Sequence, residues 1–207
     1  MKLILVAPEP ELCEEWRKAF DNLPDVEIVN GYFESLPVYD CMVSPANSFG
    51  LMDGGIDASI TRYFGDQLMR RVQKRILEDY LGEQPVGTSI IVETGYPVHP
   101  YLAHTPTMRT PMVIAHTENV YLALWAMLLA VRRHNLAHAE DIKIVACPGL
   151  GTGTGRVPYQ EAAYQMSLAY RHFLNPPLYI SWHLADERQL AVRYGGDMGF
   201  NVPLRGG

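Results

Sequence analysis

The amino-acid sequence predicts an α/β domain whose largely parallel sheet is covered on both faces by helices, and three observations predict it. Segments rich in Val and Ile alternate along the chain with segments of helical periodicity. At two places a strand segment runs through a glycine-containing loop directly into a helix segment, the connection a parallel sheet makes at the carboxyl edge of its strands. Of the 207 residues, 48% are apolar and 19% charged, a balance that offsets chain entropy with a packed core. Strands alternating with helices bury both sheet faces, which is the setting of parallel pairing.

In chain order, KLILVA (2–7) is a strand of aliphatic residues, and PELCEEWRKAF (10–20) is a helix. VEIVNGYF (26–33) and YDCMVS (39–44) are strands. ASITRYF (58–64) and DQLMRRVQKRILEDY (66–80) are helices, the second placing Leu68, Met69, Val72, Ile76 and Leu77 on one face. TSIIVETG (88–95) is a strand. Residues 97–117 carry four prolines, Pro97, Pro100, Pro106 and Pro111, which break any long helix. One strand near 101–105 fits there, and the remainder either borders a site or is simply a long loop. NVYLALWAMLLAVRRHNL (119–136) is a helix; its apolar run 120–131 has 12 residues where a membrane span needs about 20, so it reads as buried. DIKIVAC (141–147) is a strand and YQEAAYQMSLAYRHFL (159–174) a helix. A short strand at 178–182 (LYISW), a polar helix near 184–193 and a glycine-containing tail complete the chain. No Gly/Ser-rich linker or repeat divides it, so 1–207 reads as a single domain with 175–207 as a C-terminal extension.

The formal charge is 17 − 23 = −6, which argues against general capture of nucleic acid or of an anionic membrane. Any bound phosphate must be held locally. Cys13, Cys41 and Cys147 have no close spacing, so neither a disulfide framework nor a cysteine zinc site is expected. A reducing, cytoplasmic setting fits, and the first residues lack the apolar core and cleavage pattern of a signal peptide.

The strongest motif is CPGLGTGTGRVP (147–158), with Gly149, Gly151, Gly153 and Gly155 at alternate positions between a strand and a helix. Alternate glycines let backbone amides approach an anion without Cβ interference, and the following helix adds the positive end of its dipole. The loop has neither the Lys of a Walker A motif nor the G-x-G-x-x-G spacing of a dinucleotide fingerprint. A second loop, Pro45-Ala46-Asn47-Ser48 through Gly54-Gly55, lies between strand 39–44 and a helix opening near Asp57. Two such loops at one sheet edge could clamp a diphosphate from both sides.

On these residues the chain resembles the macrodomain family, the ADP-ribose-binding fold. Val43-Ser44-Pro45-Ala46-Asn47-Ser48 with Gly54-Gly55-Ile56-Asp57-Ala58-Ser59-Ile60 is similar to the family's V-N-A-A-N-S and G-G-V-D-G-x-I segments, ungapped. Pro148 to Pro158 is similar to its P-x-I-S-T-G-x-x-G-x-P loop. The resemblance covers about residues 1–175 and is nearest to the MacroD type. It implies a three-layer α/β/α fold with a mixed, largely parallel sheet and an ADP-ribose cleft at its edge. It implies ligand contacts at Ser48, Gly54, Gly55, Ile56, Gly149, Gly151, Thr152, Gly153, Thr154 and Gly155, with Phe33 and Arg156 as candidate contacts at positions where the chain departs from the pattern. Asn47 and Asp57 match the Asn and Asp that orient the distal ribose and an attacking water in MacroD-type hydrolases.

An Asn amide offers a donor and an acceptor to vicinal hydroxyls, and an Asp carboxylate can accept a ribose hydroxyl or polarise a water. Without the resemblance, Asn47 reads as a loop or capping residue and Asp57 as a helix N-cap. The resemblance implies an ADP-ribose or related nucleotide ligand, with ADP-ribosylated protein as a partner. The implied activity is hydrolysis of mono-ADP-ribosyl protein, O-acetyl-ADP-ribose or ADP-ribose-1″-phosphate; the alternative is a binding module without turnover. No cofactor and no metal is expected.

The chain departs from the pattern at Ser44, where MacroD-type members carry Asn, and at Thr61, where some carry His. Gly31-Tyr32-Phe33-Glu34 replaces G-D-I-T, whose Asp holds the adenine amino group, so an aromatic pair could stack on the base instead. Gly155-Arg156 replaces an aromatic and a Gly, and Arg156 could supply a phosphate or ribose contact. Arg109 is a second candidate cation or a surface arginine, and Arg70, Arg71, Lys74 and Arg75 read as a solvated helix face. His134 and His138 read as a helix-end pair and Cys147 as a small buried strand-end residue.

Overall fold

The computed structural model describes residues 1–138 and 142–192. One sheet holds β1 (Lys2–Ala7), β2 (Val26–Asn30), β3 (Cys41–Ser44), β4 (Ile90–Glu93), β5 (Tyr101–His104) and β6 (Ile144–Cys147) in the order β2-β1-β6-β3-β5-β4. Every pairing is parallel except β4 with β5. That exception follows from the connection: residues 94–100 are too few for a crossover and reverse the chain instead. The helices are α1 (Pro10–Ala19), α2 (Gly55–Phe64), α3 (Gln67–Tyr80), α4 (Asn119–Ala137), α5 (Tyr159–Leu174) and α6 (Trp182–Val192).

Strand side chains alternate between two cores. Leu3, Leu5, Val43, Ala103, Val145 and Cys147 pack with the buried faces of α1, α4 and α5. Ile4, Val6, Met42, Leu102 and Ala146 pack with Ile60 of α2 and Leu68, Val72 and Ile76 of α3. The result is the three-layer α/β/α arrangement with a mixed, mostly parallel sheet. The apolar α4 packs both on α5 and on β4 and β5, so apolar residues on several of its sides are buried. No helix among the described residues is long and apolar enough to cross a membrane.

Several expectations shift. No strand forms at 178–182: Leu178, Tyr179 and Ile180 are exposed, and α6 begins at Trp182. Pro176 and Pro177 carry no amide donors for a ladder, and the segment pairs with neither edge strand, β2 nor β4. β2 stops at Asn30, and Phe33–Ser35 turns as a single 3-10 turn. Leu77 is solvent-exposed on α3, because the buried stripe follows the i, i+4 row of Leu68, Val72 and Ile76. Asp141, Arg193 and the tail from 194 lie outside the described residues.

β1, β6, β3 and β5 are consecutive parallel neighbours. The loops leaving their carboxyl ends, residues 8–9, 148–158, 45–54 and 105–118, therefore meet at one edge of the sheet.

Candidate functional site

The loop after β6 is fixed from behind and open in front. Val157 N–H donates to Gly151 O over 3.0 Å, Arg156 N–H to Gly153 O over 3.0 Å, and Ile114 N–H to Gly155 O over 2.9 Å. A Cβ on Gly155 would lie 2.5 Å from Gly151 O and 2.8 Å from Ile114 Cγ1, so no side chain fits there. At Gly153 and Gly54 a Cβ would meet nothing within 4 Å. Gly55 begins α2 at φ +53°, a left-handed conformation that favours glycine. The N-cap Gly54 supplies no side-chain cap to α2, so the amides of Gly55 and Ile56 remain for a ligand, while the Asp57 amide meets its own carboxyl.

Two cavities flank these loops. The smaller, about 140 Å³, is lined by Asn47, Asp53, Asp57, Thr107, Met108 and Thr154 among others. The larger, about 300 Å³, is lined by Glu9, Tyr32, Phe33, Glu34, Ser59 and Thr152 among others. Gly55, Ile56, Gly149 and Gly153 line both. The cleft is thus two lobes joined at a neck of glycine-loop backbone. The proline-rich segment reaches the smaller lobe through Thr107, Met108 and Pro111, and Thr107 Oγ1 donates to Pro45 O over 3.1 Å, tying that segment to the loop after β3.

Asp57 is the third residue of α2, not its N-cap, because the helix already opens at Gly55. It is buried at the smaller lobe and accepts a hydrogen bond from Ser44 Oγ over 2.5 Å. Burial pushes its carboxyl up to about 7, with the Ser44 bond acting in the opposite direction. Asn47 also lines the lobe, but its carboxamide is engaged with its own loop. Nδ2 donates to Leu51 O over 2.9 Å, and Oδ1 accepts from Phe49 N–H over 3.1 Å and Leu51 N–H over 3.3 Å. The expected acceptor for ribose is therefore occupied, because turning the chain at 47–51 leaves amides that need one. One Nδ2 hydrogen is left for a ligand.

In the larger lobe the aromatic pair divides. Phe33 is buried with its ring edge-on to Tyr63 at 5.5 Å, while Tyr32 is 68% exposed. Tyr32 is therefore the ring free to stack, with the carboxylates of Glu9 and Glu34 alongside. Sequence reasoning passed over Glu9 and Asp53; their adjacency to the Pro8 turn and to Gly54 was the available signal.

Other predicted residues lie elsewhere. Ser48 is buried and lines neither lobe; its backbone joins Met108, Arg109 and Gln84. Arg156 is exposed at φ +54° and lines neither lobe. Arg109 is turned to solvent and pairs with Glu83 in two bonds of 2.6 and 2.9 Å. Arg70, Arg71, Lys74 and Arg75 form an exposed face of α3, with Lys74 and Arg75 paired to Glu78 and Asp79. Thr61 Oγ1 donates to Met52 O over 3.0 Å, holding the loop to α2. The His134 and His138 rings stack at 4.2 Å near the end of α4. Cys147 is fully buried, and burial pushes its thiol up. No group of three or more His, Cys, Asp or Glu among the described residues could hold a metal ion.

Comparison with known proteins agrees with this architecture. The Macro domain family model matches residues 43–166. An uncharacterized protein of Aquifex aeolicus is 35% identical over 149 residues, 72% of this chain and 82% of that protein. A macro domain-containing protein of Listeria monocytogenes is 29% identical over 143 residues, 67% of this chain and 74% of that protein. Among solved structures, the macrodomain of Mycobacterium tuberculosis DarG aligns with a TM-score of 0.55 at 22% identity, covering 69% of this chain and 87% of its own. A glycine-to-valine variant of the Oceanobacillus iheyensis macrodomain with ADPR aligns with a TM-score of 0.58 at 18% identity, covering 79% of this chain and 89% of its own. With both glycine loops inside the matched segment, the chain belongs to the Macro domain family.

Proposed function

We propose that the cleft binds ADP-ribose and that the protein hydrolyses a derivative substituted at the distal ribose. The observation that carries the reading is the neck shared by the two lobes, where backbone of both glycine loops faces open space. A diphosphate at that neck would take amides of Gly55 and Ile56 from one side and of the loop after β6 from the other. The adenine would lie in the larger lobe on Tyr32, and the distal ribose in the smaller lobe by Asn47 and Asp57. Family membership and the O. iheyensis macrodomain structures with ADP and with ADPR support the same ligand class. This lets an acidic chain hold a dianion through uncharged amides.

The Asp57 carboxylate orients a water against the distal ribose and takes its proton as the bond to the leaving group breaks. The remaining Asn47 N–H holds a ribose hydroxyl. Substrates of this form are mono-ADP-ribosyl protein, O-acetyl-ADP-ribose and ADP-ribose-1″-phosphate, and the reaction calls for no redox cofactor. A binding module without turnover is the second reading, favoured by the engaged Asn47 carboxamide. The test is ADP-ribose release, or phosphate release for the 1″-phosphate, from each substrate beside calorimetric binding of ADP-ribose. Release from at least one supports the hydrolase; binding with no release from any leaves the module.

A further inference from the structure

Ser44 is the last residue of β3, fully buried on the face that Met42 shares with α2 and α3. Its hydroxyl donates to Asp57 Oδ1 over 2.5 Å, joining a sheet strand to the first turn of α2. We propose that Ser44 is a positioning residue of the cleft: its hydroxyl fixes the Asp57 carboxyl toward the smaller lobe and favours the ionised form that orients water. The inference rests on the reading of the cleft given above.

The geometry supports both halves. A carboxylate has about four acceptor sites over two oxygens, so one short bond from Ser44 holds the group and leaves capacity for a water or a ribose hydroxyl. A buried carboxyl otherwise resists ionisation; besides Ser44, its own backbone N–H in the first turn of α2 favours the anion. Asp53, from the loop before α2, is the other titratable side chain lining the lobe. The glycine loop contributes Thr154 and backbone, and residues 105–118 contribute Thr107, Met108 and Pro111. On the next strand His104 is in register with Ser44, buried, with Nδ1 2.7 Å from Gln84 Oε1. Gln84 Nε2 donates to the carbonyls of Thr88 and His104, so Oε1 faces the ring and the imidazole carries its hydrogen on Nδ1. Burial pushes His104 down to about 3, so it is neutral and adds no countercharge. The Ser44 hydrogen bond is thus the side-chain contact that favours the Asp57 anion.

The test compares wild type with Ser44→Ala and with Ser44→Cys, a near-isosteric weak donor. Two readouts are used: the pH profile of product release and the titration of the Asp57 carboxyl carbon by NMR. Ser44→Ala should move the acid limb of kcat and the NMR midpoint up by about one unit. Turnover at pH 7 should fall several-fold with KM unchanged, and recover above about pH 9 as Asp57 ionises. Ser44→Cys should fall between, and it carries the test if the Ala variant does not fold. An NMR midpoint equal to wild type overturns the inference. If wild type binds ADP-ribose without turnover, the hydrolase reading fails while the NMR titration still decides the Ser44 role.

Discussion

Replacing Gly153 with valine should abolish ligand binding while leaving the fold untouched. Gly153 lines both lobes, and a Cβ there would meet nothing within 4 Å. No neighbour has to move, so the change in stability should stay within about 0.5 kcal/mol. The two methyl-bearing branches would stand in the neck where the diphosphate is placed. Hydrogen bonds to charged groups contribute about 1.5–3 kcal/mol each, so displacing two of them costs roughly 3–6 kcal/mol. At 1.4 kcal/mol per decade, this is a loss of about a hundredfold or more in affinity for ADP-ribose. Gly155→Ala is the contrast, since its Cβ would lie 2.5 Å from Gly151 O. Overpacking of that kind costs about 1–3 kcal/mol, read as a drop of about 2–4 °C in Tm per kcal/mol for a chain of this size. Calorimetric titration with thermal melts reads both. A Gly153→Val protein that binds ADP-ribose like wild type would refute the placement of the diphosphate, and one that melts like Gly155→Ala would refute the open-front geometry.

Asp57→Asn should lose turnover and gain stability at alkaline pH. The folded carboxyl is raised to about 7 from an ordinary 3.8, so its linkage contribution is present below about pH 4 and lost as pH rises through 7. At pH 8 the variant should be more stable than wild type by up to about 4 kcal/mol, with little difference at pH 4 by denaturant unfolding. Equal stability at both pH values would contradict the buried carboxyl. Tyr32→Ala should weaken ADP-ribose binding by about 1–3 kcal/mol, the scale of base–aromatic stacking, without lowering Tm, because the ring is exposed. Arg109→Ala should leave affinity unchanged, since its guanidinium is held by Glu83 at the surface; a clear loss would place Arg109 in the cleft.

Most of the layer order was legible because each strand from β1 to β6 carries apolar residues at both parities, the mark of a sheet buried on two faces. The glycine loops were legible because alternate glycines between a strand and a helix have few structural uses. Side-chain orientation was not. The resemblance implies a ribose contact for Asn47, but the amides of Phe49 and Leu51 turn onto its carboxamide, the loop role that its residue type alone suggests. Phe33 and Tyr32 are adjacent, yet the turn at Phe33–Ser35 sends one ring into the core and leaves the other in solvent. Arg156 follows Gly155 but points away, and Ser48 follows Asn47 but serves the backbone behind it. LYISW has strand composition but pairs with neither open edge of the sheet, β2 or β4, a tertiary outcome that local pattern does not carry.

Titration of the wild-type protein with ADP-ribose by calorimetry tests the central claim most directly. The two-lobed cleft predicts saturable binding of one ADP-ribose per chain, with ADP competing for the same site because it retains the base, proximal ribose and diphosphate. Absence of binding at ligand concentrations up to about 1 mM, an affinity weaker than about −4 kcal/mol, would contradict it.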